Sequence, residues 1–265
     1  MTIGVTRDES HAAKRTKVAL RPLALPTEHG GWGFVLEPAV LALLVVPSIP
    51  GLLIALGVVA AFMTRHPLKL VAADALRRRF YPRTRVCILL SAAYGSVAAL
   101  SLVSGAVMAG GQVLLPLTAA LLPAAIQFWF DARNQSRALI AELSGTASSA
   151  LVAAAIVFAG HGTATTAFAV LMLALTRGVP TIVFVRAALR NANRLPSLAL
   201  HLIAVFLGVA LTMIGPAPAG AVVALTVLFI RAFSTRPGTA AKTIGIRELA
   251  YGAMFVLLAG LGWKL

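Results

Sequence analysis

VCILLSAAYGSVAALSLVSGAVMA, residues 86–109, runs from Val86 to Ala109 without one charged side chain. At 1.5 Å per residue such a helix covers roughly 36 Å, more than the hydrocarbon core of a bilayer at about 30 Å. Backbone groups left unpaired in lipid cost several kcal/mol each, so only helices and closed barrels span. The run lacks the every-second-residue alternation of a barrel strand. It therefore reads as a transmembrane helix. Its two flanks differ sharply. Arg77, Arg78, Arg79, Arg83 and Arg85 precede it, whereas the Ala109-Gly110-Gly111 turn that follows is neutral.

The same asymmetry repeats along the chain. Apolar runs fall at 30–47, 50–66, 86–109, 112–130, 143–160, 163–186, 197–214, 218–234 and 247–263. The second is the weakest, since its clearly apolar part ends at Met63, with Arg65 and Lys69 snorkelling to complete it. Basic connections alternate with bare ones. Arg7, Lys14, Arg15, Lys17 and Arg21 precede the first run, and Pro47 to Pro50 carries no charge. Arg133 and Arg137 lie in the fourth connection, and the Ala159–Thr163 turn is uncharged. Arg186, Arg190 and Arg194 follow, then the uncharged Gly215–Gly220 turn, then Arg231, Arg236, Lys242 and Arg247. By the positive-inside rule this pattern expects a cytoplasmic amino terminus, an odd number of spans and a carboxyl terminus outside.

Composition agrees. The chain has 265 residues, 59% hydrophobic and 12% charged, with mean hydropathy +0.91. Soluble domains are about 45–50% apolar and about 25% charged. Water-soluble globular and disordered classes fit this composition poorly. Cys87 is the one cysteine, so no disulfide framework exists within the chain. A net charge of +15 would suggest nucleic acid in a soluble protein. Here the basic residues sit between apolar runs and membrane orientation accounts for them, so nucleic acid is not an expected partner. Membrane lipids are. The fold class expected is all-α, a polytopic transmembrane bundle of about nine spans. Residues 1–25 are expected to form a basic, partly disordered cytoplasmic tail on anionic headgroups, and residues 26–265 the membrane domain. No apolar signal-peptide core of about 7–15 residues precedes Pro26.

Ionisable residues inside the runs are functional candidates, because a charge at a helix centre costs at least about 2.5–3.5 kcal/mol on insertion scales. Glu37 lies about 10 Å into the first run, with Pro38 beside it expected to kink or open the helix. Glu28, His29 and three glycines stand just upstream, in Glu28-His29-Gly30-Gly31-Trp32-Gly33. Close helix packing and a ligand site both fit that stretch, with Trp32 as an interfacial anchor. Arg177 is embedded in the sixth run at about the same depth, and Gly178 and Pro180 are expected to break the helix there. Glu37 and Arg177 are expected to pair, either as a neutralising ion pair or as part of a ligand or coupling-ion site.

Gln127, Asp131, Asn134, Gln135, Arg137 and Glu142 form a further polar cluster, which shares one face if the helix continues through it. It is a solvated loop or a polar rim over the bundle. Arg65-His66-Pro67-Leu68-Lys69 with Asp74 and Arg77 to Arg79, and Arg247-Glu248 with Tyr251, are basic patches. Orientation or anion capture explains them. His161 and His201 read as structural. The sequence carries no phosphate-binding glycine loop, no metal-ligand spacing and no nucleophile triad, and neither a metal nor a cofactor is expected.

Glu28-His29-Gly30-Gly31-Trp32 opening the first run and Arg65-His66-Pro67-Leu68 closing the second resemble the YwiC-like family of bacterial membrane proteins. The likeness extends to Arg137–Gly145 and covers the chain from about Pro26 onward. It implies a multi-pass architecture and no particular activity. A more distant likeness in topology is to the UbiA-type membrane prenyltransferases, and the Glu142-Leu143-Ser144-Gly145 ending is similar to theirs. Those enzymes hold Mg²⁺ on a diphosphate with aspartate motifs after spans two and six. The first position here offers Asp74 alone, and Arg186–Asn191 at the second offers no acid, so no catalytic residue carries over.

The leading expectation is a bacterial inner-membrane protein that binds or transports a polar or anionic small molecule or lipid headgroup. Its cytoplasm-facing cavity would be lined by Glu28, His29, Glu37, Arg65, Asp131, Asn134 and Arg177. The alternative is a UbiA-like enzyme acting on an isoprenoid lipid without the usual magnesium motifs.

Overall fold

The structure is a computed structural model and describes residues 20–25, 31–234 and 239–264. A short turn, α1 (Arg21–Ala24), precedes α2 (Gly31–Val45), α3 (Ile49–Leu76), α4 (Pro82–Ala109), α5 (Leu114–Ala132), α6 (Leu139–Ala159), α7 (Ala164–Arg190), α8 (Leu195–Ile214), α9 (Ala219–Ser234) and α10 (Ala241–Leu261). No strand occurs among the described residues. Seven of these helices are long and apolar enough to cross a membrane, counting α5 with the 3₁₀ turn before it. The protein is a multi-pass helical membrane bundle.

The apolar runs locate the helices well, but two details change. The run at 50–66 is not the short one. α3 spans 28 residues and passes through Arg65 and Lys69, because both cations find partners on neighbouring elements. The shorter helices are α2 with 15 residues and α9 with 16. The prolines do not break their helices either. α2 continues through Pro38 and α7 through Gly178 and Pro180. A proline removes one hydrogen bond, and the packed neighbours of a helix can outweigh that loss. Local chemistry sets the ends instead. Ser48 caps α3 by accepting from the Gly51 N–H at 3.0 Å. Thr163 caps α7 through the Thr166 N–H at 3.2 Å.

Six helices close a ring in the order α2, α6, α7, α8, α9, α10 and back to α2. α3, α4 and α5 lie outside it, with α3 and α5 against α6 and α4 paired mainly with α3. Burial follows this plan. The apolar windows of α6 and α7 are 56% and 61% buried, whereas that of α4 is 11% buried and presents its apolar side chains outward. Leu41, Ile54, Ile156, Leu173, Leu225 and Phe255 are core side chains with almost no exposure.

The two kinds of connection lie at opposite ends. At the bare end, Gly160 and Gly162 of the α6–α7 turn pack on Val46 of the α2–α3 turn, and Pro218 packs on Gly262. At the other end the basic connections meet one another. Lys69 reaches Ser136, and Arg186 reaches the backbone carbonyl of Arg137.

Candidate functional site

The interior of the ring holds charge. Arg177 of α7 is 4% exposed and lies between two carboxylates. Its Nη2 donates to Glu37 Oε1 of α2 at 3.3 Å. Its Nε is 3.1 Å from Glu37 Oε2, close enough for ion pairing but not aligned as a hydrogen bond. Nη2 also donates to the main-chain oxygen of Glu248 on α10 at 3.1 Å, and Nη1 reaches Glu248 Oε2 at 3.5 Å and the Thr181 hydroxyl. Glu248 is shared, because its Oε1 accepts from Arg231 of α9. Arg231 lies under the Phe184 ring, 4.0 Å from its centroid, and its Nη2 is 2.9 Å from His201 Nε2 on α8.

Donor and acceptor rules fix the histidine. His201 Nδ1 is 2.8 Å from the Ser197 carbonyl, which can only accept. The guanidinium of Arg231 can only donate. Nδ1 therefore carries the proton, Nε2 accepts, and His201 is neutral. With Glu37 and Glu248 against Arg177 and Arg231, the network balances two negative charges with two positive ones. That balance is what makes four charges tolerable inside an apolar ring.

Glycine makes room for it. A methyl group at Gly252 of α10 would overlap the Glu37 carboxylate, and one at Gly33 would stand 2.8 Å from Glu37 Oε1. A methyl group at Gly178 would likewise meet Thr146 of α6. Gly252 thus lets α10 approach α2, and Gly178 lets α7 approach α6.

The outer helices carry a second polar group. Asp131 at the end of α5 is fully buried and takes both an Nε and an Nη2 contact from Arg65 of α3, the latter at 2.9 Å. At the same end of the ring, Arg186 of α7 donates to Glu142 Oε2 of α6 at 2.9 Å. Asp74 accepts from Arg83 at 3.0 Å and from the Thr84 hydroxyl at 2.7 Å, closing the α3–α4 turn. Each described carboxylate, Glu37, Asp74, Asp131, Glu142 and Glu248, thus has an arginine partner. Beside the outer group opens a cleft of about 650 Å³ lined by Lys69 and residues 134–138.

The sequence-derived candidates separate into these two places. Glu37 and Arg177 meet in the ring. Arg65 and Asp131 meet outside it, and Asn134 lines the cleft. Glu28 and His29 lie outside the described residues. The polar stretch from Gln127 does not continue as one helix. α5 stops at Ala132, and Asn134 turns the chain with φ 59°, a left-handed conformation that Asn tolerates. Trp32 packs edge-on against Phe62 of α3, with centroids 5.1 Å apart.

Glu248, Arg231 and His201 stand closer to the centre than their sequence context suggested. Glu248 read as part of a surface patch, Arg231 as a loop cation and His201 as a lone structural residue. Arg231 and His201 lie within apolar runs, so the rule that singled out Glu37 applies to both.

A ring of apolar helices around a neutralised charge network, with arginine-rich connections at one end, defines a polytopic membrane protein with a polar interior layer. A family model described as YwiC-like protein matches residues 25–159, and the chain belongs to the YwiC-like family. The match takes in α2 to α6, and so the Arg65–Asp131 pair, the cleft and Glu37. Arg177, His201, Arg231 and Glu248 follow it in sequence. No curated protein and no solved structure matches the chain.

Proposed function

We propose that this protein resides in the bacterial inner membrane with its basic end in the cytoplasm. There it binds or moves a polar or anionic small molecule or a lipid headgroup. The observation that carries the reading is the distribution of charge. Net charge is +15, and every described carboxylate is already taken by an arginine. The remaining cations are concentrated at one end of the bundle, among them the exposed Arg77, Arg78 and Arg79. Positive-inside orientation puts that end in the cytoplasm, where such an arrangement favours anions over cations and zwitterions.

The enzyme reading draws less support. Asp74, the one acid at a position where the prenyltransferase likeness would want metal ligands, is taken by Arg83 and Thr84, and Arg186–Asn191 at the other position carries no acid. Two measurements test the proposal. Reporter fusions at Arg78 and Ala217 should fall in opposite compartments, with Arg78 inside. Purified protein should be thermally stabilised, saturably, by anionic compounds or anionic phospholipid and not by phosphatidylcholine. Fusions with Arg78 outside, or equal effects of anionic and zwitterionic additives, would overturn it.

A further inference from the structure

The cleft at the basic end gathers cations without acids. Lys69 enters it from α3, and Asn134, Gln135, Ser136, Arg137 and Ala138 form its other wall. Lys69 Nζ donates to the Ser136 hydroxyl at 2.6 Å, a neutral partner. Arg137 lends only its main-chain oxygen, to Arg186, and its exposed guanidinium meets no carboxylate among the described residues. The acids nearby in sequence are committed elsewhere, Asp131 to Arg65 and Glu142 to Arg186. Lys69 and Arg137 therefore both line one open cleft, and no carboxylate among the described residues pairs with either.

The backbone adds to this. α6 begins at Leu139, directly after the cleft wall, and its N-cap residue Ala138 has no side chain able to cap it. No N-cap side chain covers the first N–H groups of α6, which carry the positive end of the helix dipole, and Glu142 in that first turn is held by Arg186. A lysine, a hydroxyl already ordered against it and an arginine match the acceptors of a tetrahedral oxyanion. The cleft also has room beyond one such group for an attached organic portion.

We propose that this cleft is a phosphate site, taking a phosphomonoester or phosphodiester between Lys69, the Ser136 hydroxyl and Arg137. The proposal rests on the reading that the protein takes an anionic ligand at its basic end, and it names the chemistry and place of that ligand. A soluble phosphate compound and a phospholipid headgroup share this chemistry. Arg133 stacked at 3.9 Å over the exposed Trp129 ring, at the same end of α5, is the pairing expected where a helix meets the membrane surface.

The test uses the full chain in detergent, titrated with inorganic phosphate in one arm and with phosphatidylglycerol against phosphatidylcholine in the other. Lys69→Gln, Arg137→Gln and the double variant are compared with Lys242→Gln, which changes an exposed cation of α10 that does not line the cleft. Arg137 is exposed, so its substitution leaves folding intact should Lys69→Gln not. Each single cleft variant should weaken binding about tenfold, with Lys242→Gln unchanged. Binding of phosphatidylglycerol alone assigns a lipid headgroup, and binding of inorganic phosphate as well assigns a soluble phosphate compound. Anion binding that the double variant leaves intact overturns the cleft while the broader function stands. Absence of binding by every anionic probe overturns both.

Discussion

Gly252 of α10 and Glu37 of α2 fit as notch and key, because the carboxylate of Glu37 occupies the space that any side chain at Gly252 would fill. The contact is specific to glycine. Gly252→Ala should push Glu37 off Arg177 and cost about 1–3 kcal/mol or more, as overpacking does. Thermal unfolding in detergent reads this directly. In a Glu37→Ala background the same substitution should cost much less, since the space is then free. Equal costs in both backgrounds would show that the two residues do not share the notch.

The ion pairs of the ring predict an unequal response. Arg177→Gln leaves Glu37 without its cation, whereas Glu37→Gln leaves Arg177 with Glu248. Removing one partner of a buried pair costs about 3–5 kcal/mol. Arg177→Gln should approach that figure and Glu37→Gln should fall below it. The double variant restores charge balance and should recover part of the loss. Additive losses, measured from unfolding midpoints, would deny the coupling.

His201 should be neutral at pH 7 with its proton on Nδ1, since it donates to the Ser197 carbonyl and accepts from Arg231. Nitrogen chemical shifts of labelled histidine report this state, and two protonated ring nitrogens would contradict it. His201→Gln, which keeps an acceptor toward Arg231, should unfold at a higher temperature than His201→Leu.

Arg65 and Asp131 hold α3 to α5 through two parallel contacts. Lysine offers one point charge where arginine offers a planar fork. Arg65→Lys should therefore lose about 1–3 kcal/mol of stability, despite keeping the charge. Retention of wild-type stability would mean that charge alone, not bidentate geometry, joins the helices.

Much of this architecture was legible in the amino-acid order. Runs such as 86–109 and 163–186 became α4 and α7 because lipid leaves an apolar backbone little choice but to bond within itself. The alternation of basic and bare connections anticipated two chemically distinct ends, and the cost of a charge in lipid pointed to the Glu37–Arg177 pair. The helix break expected at Gly178 and Pro180 was misjudged. A proline's local penalty is visible in sequence, but the packing that offsets it is not.

What the order of residues settled alone was the class of protein and the periodic placement of its helices, since both depend on local hydropathy and charge. Only the tertiary structure decided which helices close the ring, that Glu248 joins Arg177 to Arg231, and that Gly252 receives Glu37. It also separated Arg65 and Asp131 from that network. Those relations depend on which helix faces stand opposite one another, and side chains such as Glu37 and Glu248 become neighbours only when the ring closes.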